Sequence, residues 1–130
     1  MKTLTALSVL LVGGGLLASA EAALAQDAAA GEKVFNQCRA CHAVDQEQNR
    51  VGPHLIGVFG REAGSLESFD RYSDAMKNAD ITWNEETIKE YVKDPRGYIP
   101  GNIMAFAGLK DEEDLDNLIA YLKEATAEGS

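Results

Sequence analysis

The 130-residue chain predicts an all-α fold, and three observations carry that prediction. Leu115, Leu118, Ile119 and Leu122 recur at offsets of 3, 4 and 7, the stripe that an amphipathic helix buries. Ile88, Tyr91 and Val92 share a face of another helix-period segment, which halts before Pro95 because the residue preceding a proline is pushed out of helical backbone. Long loops punctuated by Gly and Pro separate these segments, and no stretch reads as a strand.

The first element in order is a targeting segment. Met1-Lys2 is a short positive start, Leu4 to Leu17 is mostly apolar with Gly13, Gly14 and Gly15 inside it, and Ala23-Leu24-Ala25 is a small-x-small cleavage site. This pattern reads as a secretory signal peptide over residues 1–25, with an uncleaved membrane anchor as the rival reading. Cleavage after Ala25 leaves one domain, residues 26–130, starting at Gln26. Lys2 and Glu21 leave together, so the formal charge stays at −9. Such a surface favours solubility and argues against nucleic acid, whose phosphates demand clustered Lys and Arg. A domain this small has a marginal apolar core, which a covalently held apolar group would help fill.

Ala28 to Arg39 reads as the first helix of that domain, with Val34, Phe35 and Cys38 inward and Gln37 and Arg39 outward. Gly31 lowers its helix stability but lets another backbone come close. Asp45 to Arg50 is a polar loop leading to the Gly52-Pro53-His54 turn, and Leu55 to Arg61 is apolar, Gly-broken, extended backbone. Glu62 to Arg71 reads as loop, and a short helix starts near Ser73. Thr82-Trp83-Asn84-Glu85 reads as a Thr-x-x-Glu capping box for the segment bearing Ile88. Arg96 to Gly108 reads as an ordered loop, after which Asp111, Glu112, Glu113 and Asp114 place negative charge at the N-terminus of the last helix, where the macrodipole favours it. That helix needs a partner for its stripe, and the first helix offers one beside Gly31.

The chemistry concentrates in Cys38-Arg39-Ala40-Cys41-His42, which reads as a c-type haem attachment site. On a helix the two thiols and the imidazole fall at i, i+3 and i+4 on one face, where a flat macrocycle is stapled twice and ligated once. Other readings of these residues stand beside it. A Cys38–Cys41 disulfide closes a tiny loop, gains little and leaves His42 unexplained. A thioredoxin-like redox pair needs a strand-helix-strand context that the flanks do not supply. A zinc site from Cys38, Cys41, His42 and His54 requires the adjacent Cys41 and His42 to turn into one tetrahedron.

What fills the second axial position of the iron decides function, since a thioether saturates it and raises its potential, whereas an open position permits ligand binding or peroxide chemistry. His54 follows a proline in a loop and reads as a surface or hydrogen-bonding residue. Met76 lies in a helical stretch and reads as core packing. Met104 sits in the Pro100 to Gly108 loop, far along the chain from His42, and can approach the opposite face. Alone it reads as a gap filler; beside an attachment motif it reads as the ligand.

These residues belong to a longer series of blocks. They include Gly52-Pro53-His54-Leu55, Gly57-Val58-Phe59-Gly60-Arg61, Tyr72-Ser73-Asp74-Ala75, Ile81-Thr82-Trp83, Tyr98-Ile99-Pro100-Gly101, Met104-Ala105-Phe106-Ala107-Gly108 and Leu118-Ile119-Ala120-Tyr121-Leu122. From about Gly31 to Thr126 the sequence resembles the class I monohaem cytochromes c, in the mitochondrial and bacterial cytochrome c2 branch. The resemblance implies helices and long loops wrapped around one haem c, with crossing N- and C-terminal helices. It implies Cys38 and Cys41 as thioether donors and His42 and Met104 as axial iron ligands. It further implies that the Pro53 carbonyl accepts from the free nitrogen of His42, that Arg61, Tyr72 and Trp83 lie near a buried propionate, that Tyr91 lies near the Met104 sulfur, and that Gly31 and Phe35 meet Leu118 and Tyr121. Gln37, Ile103 and Asp111 stand where mitochondrial members carry lysines, Arg96 and Lys110 being among the few basic residues left, and Met76 replaces a polar residue often found behind the haem.

The function expected is a soluble, monomeric periplasmic carrier of single electrons rather than an enzyme. Its partners would be redox proteins: a membrane-bound quinol-oxidising cytochrome complex or dehydrogenase on one side, a terminal oxidase, reductase or reaction centre on the other. The alternative is a haem enzyme or gas sensor with an open sixth position, which needs a distal acid-base group.

Overall fold

The computed structural model describes residues 13–15 and 26–128, so nearly all of the expected signal peptide lies outside the described residues. Among the described residues five helices follow in chain order: α1 (Ala28–Phe35), α2 (Asp74–Lys77), α3 (Glu85–Lys93), α4 (Pro95–Tyr98) and α5 (Glu112–Ala125). Among the described residues the only β pairings are isolated bridges, His42 with Asn49 and Glu62 with Thr82. No helix there is long and apolar enough to cross a membrane. The all-α class is the observed one.

The architecture rests on the crossing of α1 and α5. Asp27 caps α1 by accepting from the amides of Ala29 and Ala30, and its own amide donates to Asn117 Oδ1 at 2.8 Å, which ties the start of α1 to α5. At the crossing a Cβ on Gly31 would stand 1.9 Å from the Asn117 carbonyl oxygen, so only glycine permits this approach. Phe35 stacks on Tyr121 with ring centroids 5.4 Å apart. Asp111 caps α5, and Leu115, Leu118, Ile119 and Leu122 are buried as their spacing predicts.

Three boundaries differ from the sequence reading. The first helix ends at Phe35 rather than Arg39, because the amides of Gln37 and Cys38 reach back only three residues, to Val34 and Phe35, and tighten the turn. The cap of α3 is Asn84 with Thr87 as its reciprocal partner, not Thr82 with Glu85. Residues 81–83 are already committed elsewhere: the Ala63 amide donates to the Ile81 carbonyl, the Trp83 amide to the Arg61 carbonyl and the Gly60 amide to the Trp83 carbonyl, which holds this segment extended. Finally, Pro95 ends α3 but opens α4, since its fixed φ and missing N–H suit the first helical position; Asp94 caps that turn through Gly97. The stretch read as loop from Arg96 therefore begins helically.

The remaining core fills the space between the helices and the loops. Val58, Trp83, Ile88, Tyr91 and Ile99 join Phe35 and the α5 stripe, and Cys38, Met76 and Met104 pack against them half-buried. Thus the crossing fixes the frame, and the loops at 38–61 and 99–110 lie over the same core.

Candidate functional site

The attachment motif keeps a turn of helical geometry although α1 has ended. The amides of Cys41 and His42 both donate to the Cys38 carbonyl, at 3.1 and 2.9 Å, which preserves the i, i+3, i+4 relation of the two sulfurs and the imidazole. Cys38 and Cys41 are free thiols, so the disulfide reading is not realised. Burial and the neighbouring Cys41 push the Cys38 thiol up to about 11, so it stays protonated at neutral pH. Among the described residues no three His, Cys, Asp or Glu side chains gather around a metal-sized site, so the zinc set of Cys38, Cys41, His42 and His54 is not assembled.

His42 is held from one side. Its Nδ1 lies 2.7 Å from the Pro53 carbonyl, which can only accept, so Nδ1 carries the proton and Nε2 keeps the lone pair a metal needs. Burial lowers its pKa, partly offset by that carbonyl, so the ring is neutral near pH 7. The Gly52 backbone lies against the ring: a Cβ there would sit 2.4 Å from Cε1. The Gly52 amide donates to the Cys41 carbonyl and the Leu55 amide to that of Ala43, so the loop folds back along the motif.

Arg61 organises the next loop. Its Nη1 donates to the His54 carbonyl at 2.9 Å and its Nη2 to that of Ile56 at 2.5 Å. Its charge acts on the Tyr72 phenol, whose pKa is raised chiefly by burial and drawn down by the Leu66 backbone and Arg61. Trp83 is joined to Arg61 through its backbone, so the three residues associated by resemblance are neighbours. His54 departs from expectation. It is buried at 5% exposure, and its Nδ1 has no partner among the described residues; the carbonyl held by Arg61 and the amide held by Asn49 Oδ1 at 3.0 Å draw the residue inward.

Met104 is half-buried, and the Tyr91 hydroxyl donates toward its sulfur at 3.7 Å. Burial pushes the Tyr91 phenol up to about 12, so the donor keeps its proton at neutral pH. The loop is tied to the end of α3 by the Leu109 amide on the Val92 carbonyl and by Lys110 Nζ on the Lys93 carbonyl. Sequence reasoning passed over Asn102, which bonds to Pro95, Ile99 and Met104; an Asn directly after Gly in a Pro-Gly turn is the signal that points to such local backbone bonding. Ile103 beside it is 71% exposed, and Met76, read as packing, does pack half-buried on the core.

This donor set fits a c-type haem. Two thiols on one turn suit thioether attachment, a neutral imidazole oriented through Nδ1 suits iron, and a thioether with a hydrogen-bonding phenol beside it is a soft donor of the kind that suits the same metal.

The comparisons agree with this chemistry. The cytochrome c family model matches residues 28–126. The chain is 53% identical to cytochrome c2 of Blastochloris viridis over 116 residues, covering 88% of this chain and 91% of that one. It is 48% identical to cytochrome c-550 of Bradyrhizobium diazoefficiens over 103 residues, covering 78% of this chain and 75% of that one. Among solved structures, cytochrome cH from Methylobacterium extorquens superposes with a TM-score of 0.71 at 45% identity, covering 75% of this chain and 98% of that one.

Proposed function

We propose, from the premise that this chain belongs to the cytochrome c family, that it is a periplasmic one-electron carrier whose haem c is bound by Cys38 and Cys41 and ligated by His42 and Met104. It is not an enzyme, and no substrate bond is made or broken. When bound, the haem supplies reversible exchange of one electron between Fe(III) and Fe(II).

The observation that carries the ligand assignment is that each proposed donor is held by a hydrogen bond that still leaves it a lone pair: His42 through Nδ1 on the Pro53 carbonyl, with Nε2 free, and Met104 through one of the two sulfur lone pairs, on the Tyr91 hydroxyl. Donors fixed in this way stay in place in both oxidation states, so little rearrangement accompanies transfer. Cys38 and Met104 both pack, half-buried, against the same apolar core. A −9 chain with Gln37, Ile103 and Asp111 at the lysine positions of mitochondrial relatives does not fit docking through a ring of lysines. Its partners are proposed as redox proteins at the inner membrane, a quinol-oxidising complex or dehydrogenase as donor and an oxidase, reductase or reaction centre as acceptor.

Three measurements test this. Mass spectrometry of the exported protein should find one haem added on the two sulfurs, and visible spectra should show haem c with the sulfur-to-iron band when oxidised. Met104→Ala should remove that band, lower the potential and allow carbon monoxide to bind the reduced protein. A Met104→Ala protein that keeps the wild-type potential and refuses carbon monoxide rules Met104 out as the ligand.

A further inference from the structure

On the side toward α4, the backbone that carries Met104 is held by one side-chain amide. Asn102 Nδ2 donates to the Pro95 carbonyl at 2.6 Å and to the Ile99 carbonyl at 2.8 Å, while its Oδ1 accepts from the Met104 amide at 3.0 Å. These contacts admit a single orientation, because a flipped amide would set its oxygen against two carbonyls. The remaining lone pair of Oδ1 lies 3.4 Å from the Tyr91 hydroxyl, the same hydroxyl that reaches Met104 Sδ at 3.7 Å. A phenol has one proton, so Asn102 and the thioether share it. No other side chain in the loop from Ile99 to Gly108 makes such a set of bonds among the described residues.

We infer that Asn102 is the positioning residue of the sulfur donor. It pins the loop to α4 and sets the Met104 backbone beside the Tyr91 hydroxyl, so that retention of the thioether draws on this amide as well as on Tyr91. The inference rests on the reading of Met104 as axial ligand and adds to it the group that keeps that ligand closed.

Imidazole added to the oxidised holoprotein is the probe, since it must displace the sulfur, and its apparent affinity rises with the fraction of protein whose loop is open. Asn102→Ala removes every side-chain bond of Asn102 while leaving the Tyr91–Met104 contact, and should tighten apparent imidazole binding by about tenfold or more, the equivalent of at least one net hydrogen bond. Asn102→Asp keeps the shape and the acceptor but sets carboxylate against the Pro95 and Ile99 carbonyls, so it should shift the affinity in the same direction. In a Tyr91→Phe background the Asn102→Ala effect should shrink, because the shared proton is gone. Asp27→Ala, which weakens the cap of α1 rather than any bond of this loop, should leave imidazole affinity unchanged and so separates positioning from general loss of stability. Wild-type affinity in both Asn102 variants, with the sulfur-to-iron band present in the parent, overturns the role of Asn102 alone. Absence of that band in the parent, or equal imidazole affinity in the parent and Met104→Ala, overturns the ligand reading beneath it.

Discussion

The crossing of α1 with α5 and the loop that carries Met104 are held by different physics. At the crossing, Phe35, Leu115, Leu118 and Ile119 are almost wholly buried, and Gly31 brings two backbones into contact. Many small non-directional dispersion contacts act there, beside the one directional bond from the Asp27 amide to Asn117 Oδ1. In the loop, Ile103 and Ala105 are exposed and Met104 is only half-buried, and position is set by a few directional bonds from Asn102, Tyr91 and Lys110. The difference teaches what each region tolerates. The crossing accepts apolar exchanges that conserve volume, whereas the loops accept changes of volume at their exposed tips but not the loss of a donor or acceptor.

The strongest way to break this comparison is to add volume at the crossing. Gly31→Val places its Cβ 1.9 Å from the Asn117 oxygen and 2.8 Å from Tyr121 Cβ, where backbone must move. It should cost about 3 kcal/mol or more, since overpacking a filled interior forces helices apart. Denaturant midpoints would measure the loss, and the protein that still folds should keep the parent's oxidised spectrum. A changed sulfur-to-iron band in that fraction would show that crossing and loop are not separable.

Removing a donor from the loop side should come next. Arg61→Leu keeps much of the side chain's bulk but leaves the His54 and Ile56 carbonyls without their guanidinium. The expected cost is about 2 kcal/mol, from stranding buried acceptors rather than from lost packing. Chemical denaturation of holoprotein would read it, and a neutral result would mean that these carbonyls find other partners.

A smaller effect should appear as a pH slope. His54 has its folded pKa lowered from the usual value, by burial first and then by the charge of Arg61, with Glu47 opposing. The unfolded chain therefore takes up the proton first as pH falls. Stability is complete above the unfolded value near 6.5 and is lost as pH drops from there toward the folded value, with a slope of at most about 1.4 kcal/mol per pH unit. His54→Asn should flatten this slope in holoprotein between pH 7 and 5. An unchanged slope would assign the acid sensitivity to other groups.

The same contrast decides what could be read from sequence. Leu115, Leu118, Ile119 and Leu122 announce α5 because a helix period is local, and Gly31 stands out because an interior glycine has a cost that close approach offsets. The Pro53 contact of His42 and the Tyr91 contact of Met104 were legible through the family's ordered blocks. By contrast, the burial of His54 depends on Arg61 and Asn49 reaching its backbone, and Asn102 works through carbonyls on α4 that no periodicity marks. Directional bonds between loops leave little trace in hydrophobic pattern, which is why the crossing was readable from residues alone and the loops needed kinship or coordinates.

The start of α3 gives the smallest and sharpest test, because two capping boxes compete for it within six residues. One reading pairs Thr82 with Glu85; the structure pairs Asn84 with Thr87, the Asn84 side chain accepting from the Thr87 amide at 2.9 Å and Thr87 Oγ1 accepting from the Asn84 amide at 2.8 Å. Thr82 takes part only through its carbonyl, which receives Thr87 Oγ1 at 2.8 Å, and any residue supplies a carbonyl. Asn84→Ala should therefore cost about 1 kcal/mol, the usual price of a lost N-cap, while Thr82→Ala should lie within about 0.5 kcal/mol of the parent. Equal losses would restore Thr82 as a cap. Because residues 81–83 are bound to 60–63 by backbone hydrogen bonds, the expected inequality also measures how firmly that extended pairing, rather than local propensity, decides where α3 begins.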